Sequence, residues 1–370
     1  MELKGLAVLE NKVIPAEIEV KDGLINAVYP IDEPVTNLPI IMPGFIDQHI
    51  HGANSADAMD ATFDALNTIS KAILKEGVTS FLATTMTASP ESIEKATKAV
   101  ALAVGKVEGA NLLGVHLEGP FINCKYKGAQ PEELIQPIDL KKLDIWNHQG
   151  VIKLITAAPE LDNFEKLLEY SRANRISVQI GHTAATYDQV KSALNKGANG
   201  FTHAYNAMSG FAHREAGVVG AMLLSKETYA ELIADGIHVS VPAIKLLYEN
   251  KGPDRIILVT DSIRATGLTD GVSELGGQKV FVKNNEARLE SGALAGSILK
   301  YNDGVRHTAL NIENNLIELS KMSSLNPATN LGINQQKGSI KVGKDADLVV
   351  LDHNFKVLKT IIKGEIKYEV

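Results

Sequence analysis

Cysteine is almost absent from this chain, and long apolar runs are absent altogether. Of 370 residues only Cys124 is a cysteine, so no disulfide can form within one chain. Cys124 lies in a polar segment and is expected to be incidental rather than catalytic. No stretch reaches the roughly 20 apolar residues that a membrane helix needs, and residues 1–13 hold no apolar run suited to a signal peptide. These absences predict a cytoplasmic protein with no membrane partner.

Basic residues are fewer than acidic residues and are not clustered. Lys and Arg total 37 against 44 Asp and Glu, which gives a formal net charge of −7, and the chain has no basic cluster or Lys/Arg-rich tail. This pattern argues against a protein that binds the phosphate backbone of nucleic acids. With 45% hydrophobic and 22% charged residues the composition is that of a globular protein, and the charge slightly favours an enzyme that acts on a small molecule.

Short β-rich runs alternate with longer amphipathic segments between about residues 45 and 335, at the roughly 30-residue spacing of a βα unit. Eight alternations in one direction predict an α/β protein with a (β/α)8 TIM barrel rather than an open doubly wound sheet. Helix boundaries support this pattern: Ser89 precedes Pro90 at a predicted helix start, and Gly77, Gly197 and Gly252 follow predicted helix ends. The eight runs are Phe45–His49, Val78–Thr84, Leu112–Leu117, Val151–Ala157, Ser177–Gly181, Gly200–His203, Ala230–Ala234 and Ile256–Thr260.

The two ends of the chain do not follow the barrel pattern. Both carry short alternating runs, with Asp22-Gly23 as a hairpin turn near the start and Leu348–Leu351 and Val357–Ile362 as strands near the end. We therefore expect residues 1–44 and 338–370 to form one small β-sandwich domain, and residues 45–337 to form the barrel. A β-hairpin inserted near 278–290 is either a flap over the site or a surface decoration.

Metal-ligating residue types concentrate where the predicted strands end, and in a parallel barrel these ends carry the catalytic groups. His49 and His51 lie two residues apart on one strand and therefore point the same way. A lone histidine is usually structural, but six such residues at strand ends predict a metal site. His116, one residue out of phase with the metal-facing side in this interpretation, is expected to be structural. The six predicted ligands are His49, His51, Glu118, His182, His203 and Asp261.

The predicted donors are nitrogen and oxygen with no thiolate, which suits a divalent ion such as zinc, iron, manganese or cobalt. Such an ion lowers the pKa of a bound water toward neutrality and polarises a carbonyl oxygen. Asp261, at the last strand, could then take the proton of the water and pass it to the leaving nitrogen or oxygen. The spacing thus predicts metal-assisted hydrolysis without naming a substrate.

At these residues the chain resembles the amidohydrolase superfamily and, within it, the family of N-acetylglucosamine-6-phosphate deacetylases. The resemblance covers essentially the whole length, from Pro43–Asp47 to Gly343–Val350. Many amidohydrolases share the paired histidines, but few share the whole set of segments. The more discriminating segments are His116–Phe121, Thr202–Met208, His213–Gly217, Asp235–His238 and Leu294–Ser297.

The resemblance implies hydrolysis of N-acetyl-D-glucosamine 6-phosphate to D-glucosamine 6-phosphate and acetate. It implies that Glu118, His182 and His203 hold the consistently occupied metal ion and that Asp261 is the catalytic acid/base. It also implies that His238 contacts the sugar or stabilises the polarised carbonyl. The substrate-binding residues that it implies are Ala129, Gln130, Asn206, Ala207, Arg214, His238, Leu294, Ala295 and Gly296.

Several consequences of the resemblance are specific to this sequence. Both His49 and His51 are present where some members lack the pair, so a second ion bridged by Glu118 is expected to be possible. Gln130 stands where some relatives have a histidine, and would hydrogen-bond the sugar without carrying charge. Arg214 would pair with the phosphate of the substrate in a neighbouring subunit, which implies a homodimer. Taken without the resemblance, Arg214 is an ordinary surface arginine and His238 a core histidine.

Alternative functions remain open at this point. The substrate could be the galacto epimer, or the protein could be another amidohydrolase acting on a small amide. Cyclic-amide members usually bridge two metals with a carboxylated lysine, and no lysine stands at a predicted strand end here. A non-catalytic scaffold is disfavoured, because such relatives typically lose ligands and this chain keeps all six.

Overall fold

The computed structural model describes residues 1–370, and its twenty strands fall into one barrel sheet and three smaller sheets. The barrel strands are consecutive neighbours in the order β14-β13-β12-β11-β10-β9-β8-β5, and all their pairings are parallel. The strands are β1 (Glu2–Val8), β2 (Val13–Lys21), β3 (Leu24–Pro30), β4 (Ile40–Pro43), β5 (Phe45–Ile50), β6 (Gly52–Ala53), β7 (Ala56–Asp57), β8 (Val78–Thr84), β9 (Asn111–Glu118), β10 (Ile152–Ala157), β11 (Ser177–Ile180), β12 (Gly200–Phe201), β13 (Tyr229–Ile233), β14 (Ile256–Val259), β15 (Gly271–Leu275), β16 (Gln278–Lys283), β17 (Glu286–Leu289), β18 (Leu348–Leu351), β19 (Val357–Ile362) and β20 (Glu365–Glu369).

Helices follow the barrel strands and cover the outside of the sheet, so that strands such as β8 are buried along their whole length. Ser89 accepts a hydrogen bond from the backbone of Ser92 at the start of a helix, and Gly77 and Gly252 follow helical turns with positive φ, as predicted. The helices are α1 (Phe63–Ala72), α2 (Pro90–Ala103), α3 (Leu140–Trp146), α4 (Phe164–Asn174), α5 (Tyr187–Asn195), α6 (Gly217–Leu224), α7 (Val241–Lys251), α8 (Tyr301–Asn311), α9 (Leu316–Ser320) and α10 (Asn326–Asn330).

All eight predicted barrel runs coincide with barrel strands, so the (β/α)8 fold is confirmed. The first and last strands approach each other where Ile50 forms a parallel bridge with Ser262. The sixth strand is shorter than predicted, because only Gly200–Phe201 pairs with its neighbours and Thr202 and His203 already belong to the following loop. No helix of the chain combines the length and the apolar character needed to cross a membrane.

The two ends of the chain build a second sheet of seven strands in the order β20-β19-β18-β4-β1-β2-β3. The two edges of this sheet approach each other. Leu24 forms an antiparallel bridge with Asp345. Gly23, in the turn between β2 and β3, lies so close to Lys363, in the turn between β19 and β20, that an added Cβ atom would be 3.2 Å from the Lys363 carbonyl oxygen. The sheet encloses its own cluster of 12 buried apolar residues, which agrees with a small β domain formed from both ends. The exact division at residues 44 and 338 stays a prediction.

The insertion after the last barrel strand has three antiparallel strands, β15 to β17, where the sequence predicted two. Its hairpin turn lies at Asn284 and Asn285, which both have positive φ. The inner face packs Leu275 and Val280 against Met86 of the barrel, so that the insertion lies over the carboxyl ends of the strands.

Candidate active site

The six predicted ligands converge at the carboxyl ends of the barrel strands. His49 lies on β5 with His51 just beyond it, and Glu118 is the last residue of β9. The remaining three follow their strands by two residues, after β11, β12 and β14. All six are at least nine-tenths buried: His49 0%, His51 2%, Glu118 2%, His182 5%, His203 4% and Asp261 8% exposed.

Glu118 forms the first group of donors with two histidines. Its Oε1 atom lies 3.2 Å from Nε2 of His182 and 3.2 Å from Nε2 of His203. The two Nε2 atoms are themselves 3.0 Å apart. Three donor atoms at these separations can surround a single ion with bonds of about 2 Å.

A second group of donors also includes the Glu118 carboxylate. His51 Nε2 lies 3.4 Å from Glu118 Oε2 and 3.1 Å from Asp261 Oδ1, and His49 Nε2 lies 3.4 Å from Glu118 Oε1 and 3.4 Å from Asp261 Oδ1. Glu118 therefore contacts both donor sets, as a bridging ligand would.

The backbone turns sharply where three of these residues leave their strands. His182, His203 and Asp261 have φ values of 49°, 31° and 51°, a left-handed conformation that residues other than glycine adopt rarely. Such conformations cluster at functional sites, where the surrounding structure maintains them. Here they direct side chains from loop positions toward Glu118.

The hydrogen bonds of the histidine rings fit a metal ion. Nδ1 of His182 lies 2.9 Å from the Tyr126 carbonyl oxygen, and Nδ1 of His51 lies 3.3 Å from that of Thr84. A carbonyl oxygen can only accept, so each Nδ1 carries the hydrogen and each Nε2 offers a lone pair. The lone pairs face the Glu118 carboxylate, and His49 Nε2 is buried without a hydrogen-bond partner. A cation among these atoms removes the repulsion between them.

The electrostatics of the site point in the same direction. Burial alone would raise the pKa of Glu118, but the surrounding imidazoles, His49 foremost, hold it well below its ordinary value. Burial lowers the pKa of His51, yet hydrogen bonds to Asp261 and Glu118 outweigh it and raise this pKa to about 10. The two carboxylates thus create a strongly negative site that attracts protons or a metal cation.

His116 does not occupy the place that the sequence analysis gave it. It shares the inward face of β9 with Glu118, since residues two apart on a strand point the same way. Its ring stacks edge-on against His49 at 4.5 Å between centroids, and its Nε2 lies 2.8 Å from Thr156 Oγ1. The out-of-phase interpretation was therefore wrong: His116 lies in the barrel interior, one layer below the ligands.

Sequence reasoning also missed Glu231, which is fully buried on β13. Its Oε2 atom lies 2.9 Å from Nδ1 of His49. The available signal was an acidic residue in the middle of an otherwise apolar barrel strand, a position where a charge needs a partner.

Next to the ligands lies a cavity of about 250 Å³. His51, Glu118, His182, His203 and Asp261 form part of its wall. Apolar side chains, Met86 and Leu275 among them, line another part. Seven of the predicted substrate-binding residues also line it, namely Ala129, Gln130, Asn206, Ala207, His238, Leu294 and Gly296.

Two predicted substrate residues lie elsewhere. Ala295 is fully buried in the apolar cluster under the insertion, between two residues that do line the cavity. Arg214 does not line the cavity; it lies in the loop 210–215, whose residues are all exposed.

Two of the polar side chains on the cavity wall, Gln130 and His238, are held in place by other residues. The Gln130 amide accepts a hydrogen bond of 2.7 Å from the Thr87 backbone and donates one of 2.8 Å to Glu118 Oε2. Nδ1 of His238 lies 2.6 Å from Asp235 Oδ2. Burial lowers the pKa of His238, but the Asp235 interaction prevails and raises it. The arrangement offers an ion site, an oriented imidazole and an ionised carboxylate around one small cavity.

Comparisons with known proteins agree with this chemistry. Residues 40–367 match the model of the Amidohydrolase family. The N-acetylglucosamine-6-phosphate deacetylase of Bacillus subtilis is 42% identical, over 99% of this chain and 96% of that protein. The N-acetylgalactosamine-6-phosphate deacetylase of Escherichia coli O157:H7 is 37% identical, over 95% of this chain and 94% of that protein.

Solved structures extend the similarity to three dimensions. The N-acetylglucosamine-6-phosphate deacetylase of Thermotoga maritima superposes with a TM-score of 0.94 at 35% identity, over the full length of both chains. That of Mycobacterium smegmatis, solved as a mutant in complex with N-acetyl-D-glucosamine-6-phosphate, gives 0.93 at 28% identity over 99% of each chain. The chain therefore belongs to the amidohydrolase family, in the branch that includes the N-acetylglucosamine-6-phosphate deacetylases.

Proposed function

We propose that this protein is a metal-dependent N-acetylglucosamine-6-phosphate deacetylase, which hydrolyses the acetamide of its substrate to D-glucosamine 6-phosphate and acetate. The observation that carries the proposal is the convergence of six N/O donors beside a small cavity, in a chain whose full-length relatives bear that name. The structure of a relative in complex with this sugar phosphate supports the substrate.

Glu118, His182 and His203 would hold one divalent ion, and His49, His51 and Asp261, together with Glu118, would hold a second. Zinc suits the N/O donor set, as do iron, manganese and cobalt. When bound, the ion supplies Lewis-acid polarisation of the amide carbonyl and an acidified water.

Asp261 is the group that moves protons in this mechanism. Burial would raise its pKa, but His49 and His51 lower it, so the carboxylate is ionised and able to accept a proton. It receives the proton of the attacking water and delivers it to the amine nitrogen as the C–N bond breaks. His238, held at Nδ1 by Asp235, donates a hydrogen bond from its other nitrogen to the oxygen of the tetrahedral intermediate.

The sugar phosphate is bound by groups further from the ion. Asn206 and Ala207 present amide groups to it, and Ala129, Gln130 and Leu294–Gly296 enclose the sugar and the acetyl end. Arg214 pairs with the phosphate in the site of a second subunit, which makes the enzyme a homodimer. Arg214 lies in an exposed loop and does not line the cavity of the same chain, which supports this assignment. A phosphorylated small-molecule substrate and the single cysteine are consistent with a cytoplasmic enzyme.

The test is acetate release by zinc-loaded protein from N-acetylglucosamine 6-phosphate, its galacto epimer and unphosphorylated N-acetylglucosamine. Faster release from the gluco 6-phosphate than from either other sugar is the expected result. Preference for the galacto epimer would favour the second candidate, which the 37% identical relative from Escherichia coli O157:H7 supports. No release from any of the three would overturn deacetylation and leave the metal site to be explained by another amide.

A further inference from the structure

Glu231 lies directly beneath the candidate metal site, on the inward face of β13, and none of its surface is exposed. Its two carboxylate oxygens have different partners. Oε2 faces Nδ1 of His49 at 2.9 Å and the backbone N–H of His203 at 3.3 Å, whereas Oε1 accepts a 2.7 Å hydrogen bond from Nε2 of Gln48. The carboxylate is therefore fixed in orientation on both sides.

The contacts continue below Glu231 to the closing helix of the barrel. Gln48 Oε1 accepts a 2.9 Å hydrogen bond from Asn330 of α10, and Asn330 Oδ1 in turn accepts hydrogen bonds from Ser177 and Asn199. Gln48 must donate to Glu231 and accept from Asn330, so its amide has one orientation. This chain of hydrogen bonds therefore fixes which oxygen of Glu231 faces Gln48 and which faces His49.

A carboxylate that accepts from Nδ1 leaves only one tautomer to His49. The hydrogen is on Nδ1, and the lone pair is on Nε2, which lies 3.4 Å from both Glu118 and Asp261. His51 and His182 obtain the same tautomer from backbone carbonyls. Among these three histidines, His49 alone depends on a side chain for it.

We propose that Glu231 is a positioning residue, which holds His49 in the metal-ligating tautomer and so determines whether the ion position formed by His49, His51 and Asp261 is filled. The proposal rests on the proposed metal site. The position formed by Glu118, His182 and His203 depends much less on Glu231, because the tautomer of His182 is set by Tyr126 and the only contact with His203 is through its backbone.

Glu231→Gln is the informative substitution because an amide has one donor end and one acceptor end. If its NH2 group faces His49, the ring must place its hydrogen on Nε2, and the lone pair for the ion is lost. If the NH2 group faces Gln48, two donors meet. Combining Gln48→Glu with Glu231→Gln exchanges the carboxylate and the amide. The amide at position 231 then donates to the carboxylate at position 48 and accepts a hydrogen bond from Nδ1 of His49. The hydrogen of His49 is thereby restored to Nδ1 without a carboxylate next to the ring.

The experiment measures bound zinc per subunit in purified full-length protein, by elemental analysis across a series of buffered free-zinc concentrations. We expect two ions in the unchanged protein. In Glu231→Gln the second ion should bind roughly 10–100-fold more weakly, while the first keeps its affinity. The double variant Gln48→Glu/Glu231→Gln should recover the second ion. Glu76→Gln, which alters another buried carboxyl of the barrel away from the ligands, should bind both ions normally.

Three results with the unchanged protein and the single variant would overturn the proposal: a single ion in the unchanged protein, undiminished binding of both ions by Glu231→Gln, or equal weakening of both ions by that substitution. Failure of the double variant to recover the second ion would show that the carboxylate acts through its charge rather than through the tautomer, and would also overturn it. Thermal unfolding of each variant shows whether it is folded. Acetate release by a one-ion protein would leave the proposed function intact, so the two hypotheses fail separately.

Discussion

Asp261 combines burial with an ionised carboxylate. It is buried at a strand end with a left-handed backbone, and its carboxylate nevertheless has a lowered pKa because His49 and His51 outweigh the effect of burial. Its Oδ1 atom lies within 3.4 Å of both imidazoles. A side chain so placed can take part in ligation and still exchange protons with a substrate in the adjoining cavity.

Replacing Asp261 with Asn separates these two tasks. The amide oxygen can still face the ion, but the amide cannot accept a proton, so kcat should fall by about 10²–10⁴-fold. Zinc content, measured on the same preparation, should change little. Turnover near that of the unchanged enzyme, with metal present, would exclude Asp261 as the acid/base.

Whether a residue of this site could be found from the sequence depends on how local its signal is. His49 and His51 can be recognised from a short stretch of sequence, because the two histidines share one face at the end of one strand. Glu231 acquires its role only by facing His49, 182 positions earlier in the chain. Gln130, which the resemblance implies as a contact to the sugar, also donates a hydrogen bond to Glu118, and no local pattern could reveal that bond.

At the scale of elements, the insertion β15–β17 contributes an apolar wall to the cavity. Leu275, at the end of β15, is 2% exposed and lines the cavity together with Met86 and Leu294. Gln278 donates a hydrogen bond to the carbonyl of Ala129, which joins the insertion to the loop on the opposite side. The insertion is thus part of the cavity wall, and in the proposed function its apolar side chains limit the size of the acyl group.

Truncating Leu275 to Ala should therefore relax the acyl specificity. We expect the ratio of kcat/KM for the N-propionyl substrate to that for the N-acetyl substrate to rise by about tenfold, the order of discrimination that one methylene provides. Val280→Ala is the matched control, because Val280 is buried in the same cluster but does not line the cavity. An unchanged ratio in Leu275→Ala would place the acyl group elsewhere.

Two of the strands that the sequence analysis did not name, β15 and β20, are polar and exposed. Strands β15 and β20 carry mostly exposed side chains, so hydrophobic alternation, the signal for a half-buried strand, is weak in both. They are strands because they pair with β16 and β19. Barrel strand β14 (Ile256–Val259), which is buried along its whole length, gives the opposite case: a continuous apolar run that can be recognised by itself.

At the scale of the whole molecule, Glu76 links the beginning of the barrel to its end. The carboxyl group, 6% exposed, accepts a hydrogen bond from the backbone N–H of Tyr301, the first residue of α8. Burial raises the pKa of Glu76 from 4.5 to about 8, although the Tyr301 hydrogen bond lowers it; Asp47 and Asp303 add to the rise, and Lys300 opposes it.

This pKa makes the stability of the fold depend on pH. A carboxyl with a raised pKa in the folded state stabilises that state when protonated, so its contribution is complete below about pH 4.5 and is lost as the pH rises to about 8. Glu76→Gln mimics the protonated group. We expect it to raise Tm at pH 8 by about 2–6 °C and to leave Tm at pH 5 nearly unchanged. Exposed Glu249→Gln is the control; equal shifts at both pH values would refute the assignment.

The proposed dimer also belongs to this scale, since one subunit would complete the site of the other. The loop 210–215 is exposed throughout, and Phe211 in it is 67% exposed, so the whole loop is accessible to a second subunit. Arg214 lies in the same loop. A guanidinium supplied to a phosphate typically contributes about 1.5–3 kcal/mol, so Arg214→Ala should raise KM by about 10–100-fold.

A hybrid dimer distinguishes a phosphate contact between subunits from one within a subunit. Arg214→Ala and Asp261→Asn chains, carrying different tags, are co-expressed and the mixed dimer is purified. If Arg214 acts across the interface, the site containing Asp261 receives Arg214 from its partner, and the hybrid should show about half the activity of the unchanged dimer at low substrate concentration. If Arg214 acts in its own subunit, neither site of the hybrid is complete, and activity should stay at the level of the parent variants. Recovery of only monomers would contradict the dimer itself.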